Sequence, residues 1–214
     1  MNKRKTVLVF APHTDDGEIG CGGTIAKLKD EGNEVYYVAF SIARTSSAQN
    51  GFPDNILETE VKEATSVLGI PRERLIIFDF SVRHFPEYRQ EILESMIELK
   101  KSIHPDIIFV PSPNDIHQDH KVIAQEGVRA FKHHTLLGYE EPWNNIVFES
   151  RSFVTLERRH MDLKVEALKC YKSQQHRSYL TEDAVWSIAQ LRGAQLEGGY
   201  AEAFEVLRWI IDGF

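Results

Sequence analysis

Cysteine is scarce in this chain of 214 residues: only Cys21 and Cys170 occur, and neither lies in a Cys-x-x-Cys pattern. This usage disfavours both a disulfide framework and a thiolate zinc site. It also predicts a reducing compartment, and we therefore expect a cytoplasmic protein. Because Cys21 stands between glycines, we expect it to fill a small packed space rather than to act as a reactive thiolate.

Long apolar runs are absent as well. No stretch of the sequence approaches the roughly 18 to 20 consecutive apolar residues that a membrane-spanning helix needs. The apolar run that follows the basic residues 1–5 ends at residue 11, which is too short for the core of a signal peptide. We therefore expect neither a membrane span nor export.

Basic residues are outnumbered by acidic ones, 25 to 32, so the net charge is −7. Binding to nucleic acid depends largely on lysines and arginines that neutralise phosphates. An acidic chain therefore disfavours a nucleic-acid partner, and a small or weakly charged substrate fits better.

The alternation of two kinds of segment predicts the fold. Four short runs rich in Val, Ile, Phe and Tyr are typical of buried strands, and they cover residues 6–11, 34–41, 74–80 and 106–111. Helical spacing lies between them, at residues 24–30, 56–68 and 89–104. Strands that alternate with helices predict a single α/β domain over residues 1–214, with a Rossmann-like, mainly parallel sheet flanked by helices.

The second half of the chain is predicted in less detail. We expect a helix from residue 120 to 131, a strand over 145–153, and helices over 161–172 and 182–191. The segment 44–54 is rich in Ser, Asn, Gly and Pro, which predicts a loop after the second strand. Loops in this position border the carboxyl edge of a parallel sheet, where ligands bind.

Two clusters of histidine and carboxylate side chains follow the first and fourth predicted strands. Their members are His13, Asp15, Asp16 and Glu18 in the first cluster and Asp115, His117, Asp119 and His120 in the second. In doubly wound sheets the first and fourth strands are commonly neighbours, so the two loops are expected to meet. Two histidines and one carboxylate are a standard ligand set for hydrolytic zinc, which keeps a fourth position for water.

Each cluster taken alone also has a simpler explanation. A histidine on a loop is most often a surface residue. Asp15 and Asp16 stand before a helix, where carboxylates cap backbone N–H groups, and Asp119 stands in the same way near the next helix. The metal interpretation therefore depends on the two clusters coming together.

Two other chemistries fit less well. The segment 17–23 could form a dinucleotide-binding turn, but its glycines do not follow the Gly-x-Gly-x-x-Gly spacing and its acidic neighbours would repel pyrophosphate. No Gly-x-Ser-x-Gly sequence occurs, which disfavours a nucleophile-elbow hydrolase.

The motifs in these clusters resemble the two signatures of the LmbE/PIG-L family, which consists mostly of zinc-dependent N-deacetylases. The matching segments are Pro12-His13-Thr14-Asp15-Asp16, Gly20-Cys21-Gly22-Gly23-Thr24 and His117-Gln118-Asp119-His120, with Ser173-Gln174 and Gly199-Tyr200-Ala201-Glu202-Ala203-Phe204 further on. The resemblance implies an LmbE-like fold over most of the chain. Family members often form homo-oligomers, so the resemblance also implies a homo-oligomer here.

Residue by residue, the resemblance implies a bound metal, Zn²⁺ or alternatively Fe²⁺, with these ligands: His13, Asp16 and His120. It implies that Asp15 is the general base, and that His117 stabilises the oxyanion as an imidazolium or protonates the departing amine. Asp119 would orient one of the histidines without binding the metal itself.

The sequence departs from the family in two ways. In the first motif Thr14 replaces the usual Pro or Ala, and Gly17 stands between the acidic pair and Glu18; both are small changes that leave the ligand spacing intact. Many members carry a substrate-binding arginine on the helix before a Glu-x-x-x-Ala-x-x-x-Leu-Gly run, where this chain has Leu57. Arg44, in the loop after the second strand, is a candidate replacement, although a loop arginine is more often simply solvated.

These inferences predict hydrolysis of the N-acetyl amide of an amino sugar or sugar conjugate, with release of acetate and a free amine. Two alternatives stay open. The first is an amidase for a different N-acylated amine, such as a formylated one, and the second is a metal-binding protein without turnover. The presence of Asp15 and His117 beside the ligands disfavours the second, because a structural zinc site needs neither.

Overall fold

The computed structural model of the protein describes residues 4–49 and 51–210, so the first three residues of the basic segment 1–5 lie outside the described part. Seven strands in the described residues form one sheet: β1 (Thr6–Ala11), β2 (Glu34–Ala39), β3 (Leu75–Ile77), β4 (Ile107–Pro111), β5 (Thr135–Tyr139), β6 (Ser152–Leu156) and β7 (Tyr200–Arg208). Seven α-helices accompany them in the same residues: α1 (Asp16–Asp30), α2 (Arg44–Gln49), α3 (Ile56–Val67), α4 (Arg89–Ile103), α5 (Gln118–Ala130), α6 (Arg158–Lys169) and α7 (Glu182–Ala194). None of these helices has both the length and the apolar character needed to span a bilayer.

The strand order is β3-β2-β1-β4-β5-β7-β6. The first five strands in that order are parallel, whereas β7 runs antiparallel to both β5 and β6. The predicted mainly parallel sheet flanked by helices is therefore confirmed. β1 also pairs with β4, with Val7 opposite Ile107, so the loops that follow these two strands start at the same edge of the sheet.

Two of the predicted segments were wrong. The strand expected over 145–153 begins only at Ser152, and Ile146, inside the expected span, is 83% exposed. The loop expected over 44–54 contains helix α2, because the breakers Gly51 and Pro53 come only after that helix has ended. Residue 50 of that loop lies outside the described part.

Alternate residues of β1 face the two helical layers. Val7 and Val9 belong to a core with Ile25 of α1 and Val61 of α3. Leu8 and Phe10 point to the opposite face, where α4 and α5 cover them. Because both faces are buried, β1 is apolar throughout, and its polar functional residues come only after the strand ends.

Helix α1 is broken at Cys21, whose φ of −146° is not helical. The second half of the helix therefore has its own unsatisfied N–H groups, and Gly23 and Thr24 donate theirs to the carboxylate of Glu202 on β7, at 3.0 and 2.7 Å. A Cβ on Gly23 would lie only 2.5 Å from a methyl of Leu156, so any larger residue here would have to displace that side chain. Cys21 itself is buried in the core, as its glycine neighbours predicted.

Glu202 is also the partner of Lys164, whose Nζ lies 2.6 Å from Oε1, and both side chains are almost completely buried. Replacing Glu202 with alanine should therefore lower the free energy of unfolding by about 3–5 kcal/mol, because it leaves the buried lysine without a counter-charge and two backbone N–H groups without their acceptor. Urea denaturation measures this loss. Glu197→Ala, at an exposed position, is the matched control and should change stability little. An equally small loss for Glu202→Ala would contradict the role assigned to this carboxylate.

Candidate metal centre and active-site cavity

Three adjacent parallel strands deliver the polar side chains of the site. β1 is followed by His13 and by α1, which begins at Asp16; β4 is followed by Asp115 and His117 and then by α5. β5, the next strand along the sheet, is followed by Glu141. All these side chains meet at the carboxyl edge of the sheet, where open α/β folds bind their ligands.

The three predicted ligands form a compact triangle. His13 Nδ1 lies 3.2 Å from Asp16 Oδ2, His120 Nε2 lies 3.3 Å from the same oxygen, and the two ring nitrogens are 3.3 Å apart. Donor atoms held about 2.0–2.1 Å from a tetrahedral ion are about 3.3–3.4 Å from one another. The spacing and the two-histidine, one-carboxylate chemistry of this triangle therefore fit a zinc or ferrous ion.

Two further carboxylates fix which nitrogen of each histidine is left for an ion. Asp119 Oδ2 lies 3.0 Å from His13 Nε2, and Asp115 Oδ2 lies 2.8 Å from His120 Nδ1. In the neutral ring that binds an ion, each pairing keeps the proton on the nitrogen that faces the carboxylate, so the lone pair lies on the nitrogen that faces Asp16. Metal-binding histidines are usually held in this way. The structure thus places Asp119 where the sequence expected an orienting group, and it adds Asp115 in the same role for the second histidine.

The charges around the triangle favour a cation. Burial lowers the pKa of His13, but the carboxylates of Asp16 and Asp119 outweigh burial and raise it to about 9. The pKa of His120 is likewise raised by surrounding carboxylates despite burial, and that of Asp16 is held well below its usual range by the two histidines. Without an ion the histidines hold protons, so a metal must displace protons on binding.

Asp15 differs from its neighbour Asp16. It occupies the N-cap position of α1, yet its side chain makes no capping hydrogen bond, so the simple capping explanation does not apply to it. Its carboxyl group borders the cavity described below. Burial and the negative charge of Asp16 raise its pKa to about 6, while Arg177 and His13 oppose this shift. A carboxyl group with such a pKa can exchange a proton near neutral pH.

His117 caps α5: its Nδ1 accepts a hydrogen bond from the backbone N–H of Asp119 at 3.1 Å. Burial and the positive charges of His13 and His120 lower its pKa to about 4. The ring is therefore neutral with its proton on Nε2, and the imidazolium expected from the sequence is disfavoured, because protonation of Nδ1 would break the cap. Nε2–H can still donate to an oxyanion.

Two buried tyrosines hold the turn between β1 and α1, which carries His13 and Asp15. The hydroxyl groups of Tyr37 and Tyr171 lie 2.8 and 2.7 Å from the carbonyl oxygen of Thr14, and both also contact the carboxyl group of Glu18. Burial raises the pKa of Glu18 to about 8, so this group is protonated at neutral pH and adds a donor to the network. Glu18 thus supports the turn and faces away from the metal triangle.

A cavity of about 270 Å³ opens above the triangle. Besides residues of the triangle it is lined by Asp15, His117, Glu141, Trp143, Arg177 and Tyr179, with others around the rim. Trp143 and Tyr179 stack face to face with ring centroids 3.7 Å apart, which forms an aromatic wall. A cavity with an aromatic wall and a few polar groups is typical of small-molecule sites.

Arg44 lies outside this cavity. Its Nε is 2.6 Å from Asp79, and the residue lines a separate depression next to α3. Leu57, which stands where many family members carry an arginine, does line the cavity. The guanidinium that borders the cavity close to Asp15 belongs instead to Arg177, in the segment between α6 and α7.

Sequence reasoning missed Glu141, Arg177 and Tyr179. Glu141 follows β5, a strand that was not predicted, although the apolar residues 136–139 that precede it gave a signal for one. Glu141 is buried with Oε2 3.6 Å from His120 Nδ1, and burial with the nearby Asp16 raises its pKa well above the usual range. Arg177 and Tyr179 lie far from both clusters in the chain, so nothing local in the sequence connects them to the site.

The orienting carboxylate Asp115 offers a direct test of this arrangement. Asp115→Asn should weaken metal binding by about 10–100-fold, because the amide no longer holds the His120 proton as a carboxylate does. Competition with a chromophoric chelator measures the affinity. Asp162→Asn, an exposed change on α6, serves as control. Equal affinities for the two variants would show that Asp115 does not position His120.

A model of one protein family, described as PIG-L, GlcNAc-PI de-N-acetylase, matches residues 8–131. The match covers more than half of the chain and includes all residues of both clusters. Among curated proteins, the uncharacterized deacetylase YaiS of Escherichia coli strain K12 is 28% identical over 178 residues, which are 80% of this chain and 93% of that protein. The diacetylchitobiose deacetylase of Thermococcus kodakarensis is 31% identical over 137 residues, which are 60% of this chain and 50% of that protein.

Solved structures share the fold. The N,N'-diacetylchitobiose deacetylase from Pyrococcus horikoshii matches with a TM-score of 0.78 at 23% identity, over 95% of this chain and 84% of that one. GalB, the 4-carboxy-2-hydroxymuconate hydratase from Pseudomonas putida KT2440, matches with a TM-score of 0.80 at 18% identity, over 98% and 99% of the two chains. Since a deacetylase and a hydratase have this fold in common, the fold alone does not determine the reaction.

Proposed function

Because this chain belongs to the PIG-L family, we propose that it is a metal-dependent hydrolase that removes the N-acetyl group from an amino sugar or sugar conjugate. One observation carries the proposal: the triangle of His13, Asp16 and His120 lies in one cavity with Asp15, whose side chain is not used to cap α1. The related diacetylchitobiose deacetylase supports a sugar substrate. The aromatic wall of Trp143 and Tyr179 agrees with this, since apolar sugar faces pack against aromatic rings.

The ion would be held by His13, Asp16 and His120, and when bound it would supply a Lewis acid and a water of lowered pKa. Asp15 would accept a proton from the water that adds to the amide carbon. Nε2–H of His117 would donate to the oxyanion, a contribution of a type worth about 3–4 kcal/mol when one such donor is removed. The C–N bond then breaks and Asp15 returns its proton to the departing nitrogen, which leaves acetate and a free amine.

The experiment that tests this proposal measures acetate release from a panel of N-acetylglucosamine compounds by the protein loaded with zinc or ferrous iron. The panel contains the free sugar, diacetylchitobiose and nucleotide-, thiol- and lipid-linked derivatives. We expect at least one compound to be cleaved in a metal-dependent way. If none is cleaved although each chain binds one ion, the sugar substrate is wrong.

A second candidate is an amidase for a different N-acylated amine. It is favoured by Leu57, an apolar side chain in the cavity wall where many family members carry a substrate-binding arginine. A series of N-formyl, N-acetyl and N-propionyl derivatives of one amine separates the two candidates, since a deacetylase should prefer the acetyl compound.

A further inference from the structure

Two arginines line the cavity, and within the described part of the chain neither guanidinium lies in an ion pair. They are Arg83, in the turn between β3 and α4, and Arg177, in the segment between α6 and α7. Both residues are exposed, so an incoming ligand can reach them. Most other described arginines, among them Arg44, Arg74 and Arg192, do pair with a carboxylate.

Arg177 is held in place by neutral partners. Its Nε donates to Gln174 Oε1 at 2.7 Å, and Nη1 donates to the hydroxyl of Tyr179 at 2.7 Å. Tyr179 is itself stacked on Trp143, so the guanidinium is anchored to the aromatic wall. Neutral acceptors fix the direction of the group but do not neutralise its charge. A fixed, uncompensated guanidinium is suited to bind a carboxylate or phosphate with two parallel hydrogen bonds.

Arg83 is tied to the metal centre through its backbone. Its N–H donates to Asp119 Oδ2 at 2.6 Å, the same oxygen that contacts His13. Its φ of +72° is a left-handed conformation that side-chain-bearing residues rarely adopt. The hydrogen bond to Asp119 holds the turn in this conformation, and strained backbone held in this way is concentrated at functional sites.

The charges in the cavity are thus divided. The carboxylates of Asp16, Asp115 and Asp119 contact the metal triangle, where a cation fits, whereas the two unpaired guanidinium groups belong to other residues that line the cavity. A ligand that complements both regions has an amide that reaches Asp15 and a negatively charged group that reaches the arginines. Asp15 and Arg177 line the same cavity of about 270 Å³, so the amide and the negative group belong to one small molecule.

We propose that the substrate is an N-acyl amino sugar that carries a carboxylate or phosphate group, which binds Arg177 and Arg83 while the amide reaches Asp15 and His117. This inference rests on the proposed function and names the substrate class of the same site. It predicts that anionic N-acetyl sugars are better substrates than neutral ones of similar size.

The first test compares kcat/KM for five compounds with the metal-loaded protein. N-acetylglucosamine and its methyl glycoside are neutral, N-acetylmuramic acid carries a carboxylate, and the 1- and 6-phosphates of N-acetylglucosamine carry a phosphate at two positions. We expect at least one anionic sugar to exceed the neutral ones by 10-fold or more. Preference for the muramic acid or for a phosphate identifies the anionic group. Hydrolysis of neutral and anionic sugars at equal rates overturns the inference but leaves the proposed function intact.

Variants then assign the preference to the arginines. Arg177→Gln and Arg83→Gln should each reduce the anionic-to-neutral ratio of kcat/KM by about 10- to 100-fold, the loss expected when a charged hydrogen-bonding partner is removed. The lysine variants should keep part of the ratio. Arg72→Gln, at an exposed position that lines the separate depression beside Arg44, changes the net charge equally and should leave the ratio unchanged. If Arg177→Gln slows all five compounds equally, its guanidinium acts on Asp15 and the inference fails for that residue.

Binding without turnover separates the inference from the proposed function. Calorimetry with metal-loaded Asp15→Asn protein should show tighter binding of the preferred anionic sugar than of N-acetylglucosamine, and the difference should shrink in Asp15→Asn/Arg177→Gln. Tight anionic binding with no hydrolysis by the wild-type protein means that the inference stands and the proposed reaction fails. Equal binding of both kinds of sugar overturns the inference.

Discussion

Asp15→Asn is expected to lower kcat for the cleaved N-acetyl sugar by about 10²- to 10⁴-fold, the range typical for loss of a general acid–base group. Asparagine keeps the shape of the side chain but cannot accept the proton of the attacking water or return it to the amine. The pKa of Asp15 is raised to about 6 by burial and by Asp16, which suits this exchange. Acetate release under substrate saturation measures kcat.

The same variant should still bind one metal ion per chain, because the triangle does not include Asp15. Metal content determined by mass spectrometry distinguishes loss of the base from loss of the ion. Asp183→Asn, an exposed change on α7, is the matched control and should keep full activity. If Asp15→Asn retained near-wild-type kcat with metal bound, another group would have to act as the base.

The second large effect is expected from removing the metal or one of its ligands. Chelation should abolish hydrolysis, and added zinc or ferrous iron should restore it. His120→Ala should bind no stoichiometric metal and should not recover activity, because its Nε2 is one corner of a triangle with sides of 3.2–3.3 Å.

The control for this experiment is His133→Ala, which removes an exposed histidine in the turn after α5. This variant should bind metal and turn over substrate as the wild-type protein does. A His120→Ala protein that still bound one ion tightly would show that the ligand set is different, and Glu141, which lies near His120, would be the first residue to examine.

Much of the site could be predicted because the sequence places its polar clusters directly after apolar strands. His13 and Asp16 follow β1, and His120 follows β4. Parallel strands end at one edge of a sheet, so a strand prediction also predicts which loops lie close together. Prediction was less successful in the carboxyl-terminal half, where β5 and β6 follow each other without a helix between them and β7 is antiparallel, so the alternation of strands and helices no longer applies.

The overall charge of the chain illustrates the limit of composition. A net charge of −7 argued for a small or weakly charged ligand, yet it cannot tell where the charges lie. Arg177 and Arg83 come from segments almost a hundred residues apart, and only folding places both on one cavity. The replacement of a family arginine by Leu57 was visible in the sequence, whereas the position of Arg177 was not.

The sequence by itself determined the fold class, the family and the set of candidate ligands, because these depend on local patterns: apolar runs, helix starts and the spacing of histidines and carboxylates. Only the tertiary structure decided which nitrogen of each histidine faces the triangle, that His117 is neutral, and that Arg177 rather than Arg44 borders the cavity. These properties depend on hydrogen bonds, burial and charges between residues far apart in the chain, such as the contact of Asp119 with His13. Such contacts form only when the chain folds, and for that reason no local sequence pattern reveals them.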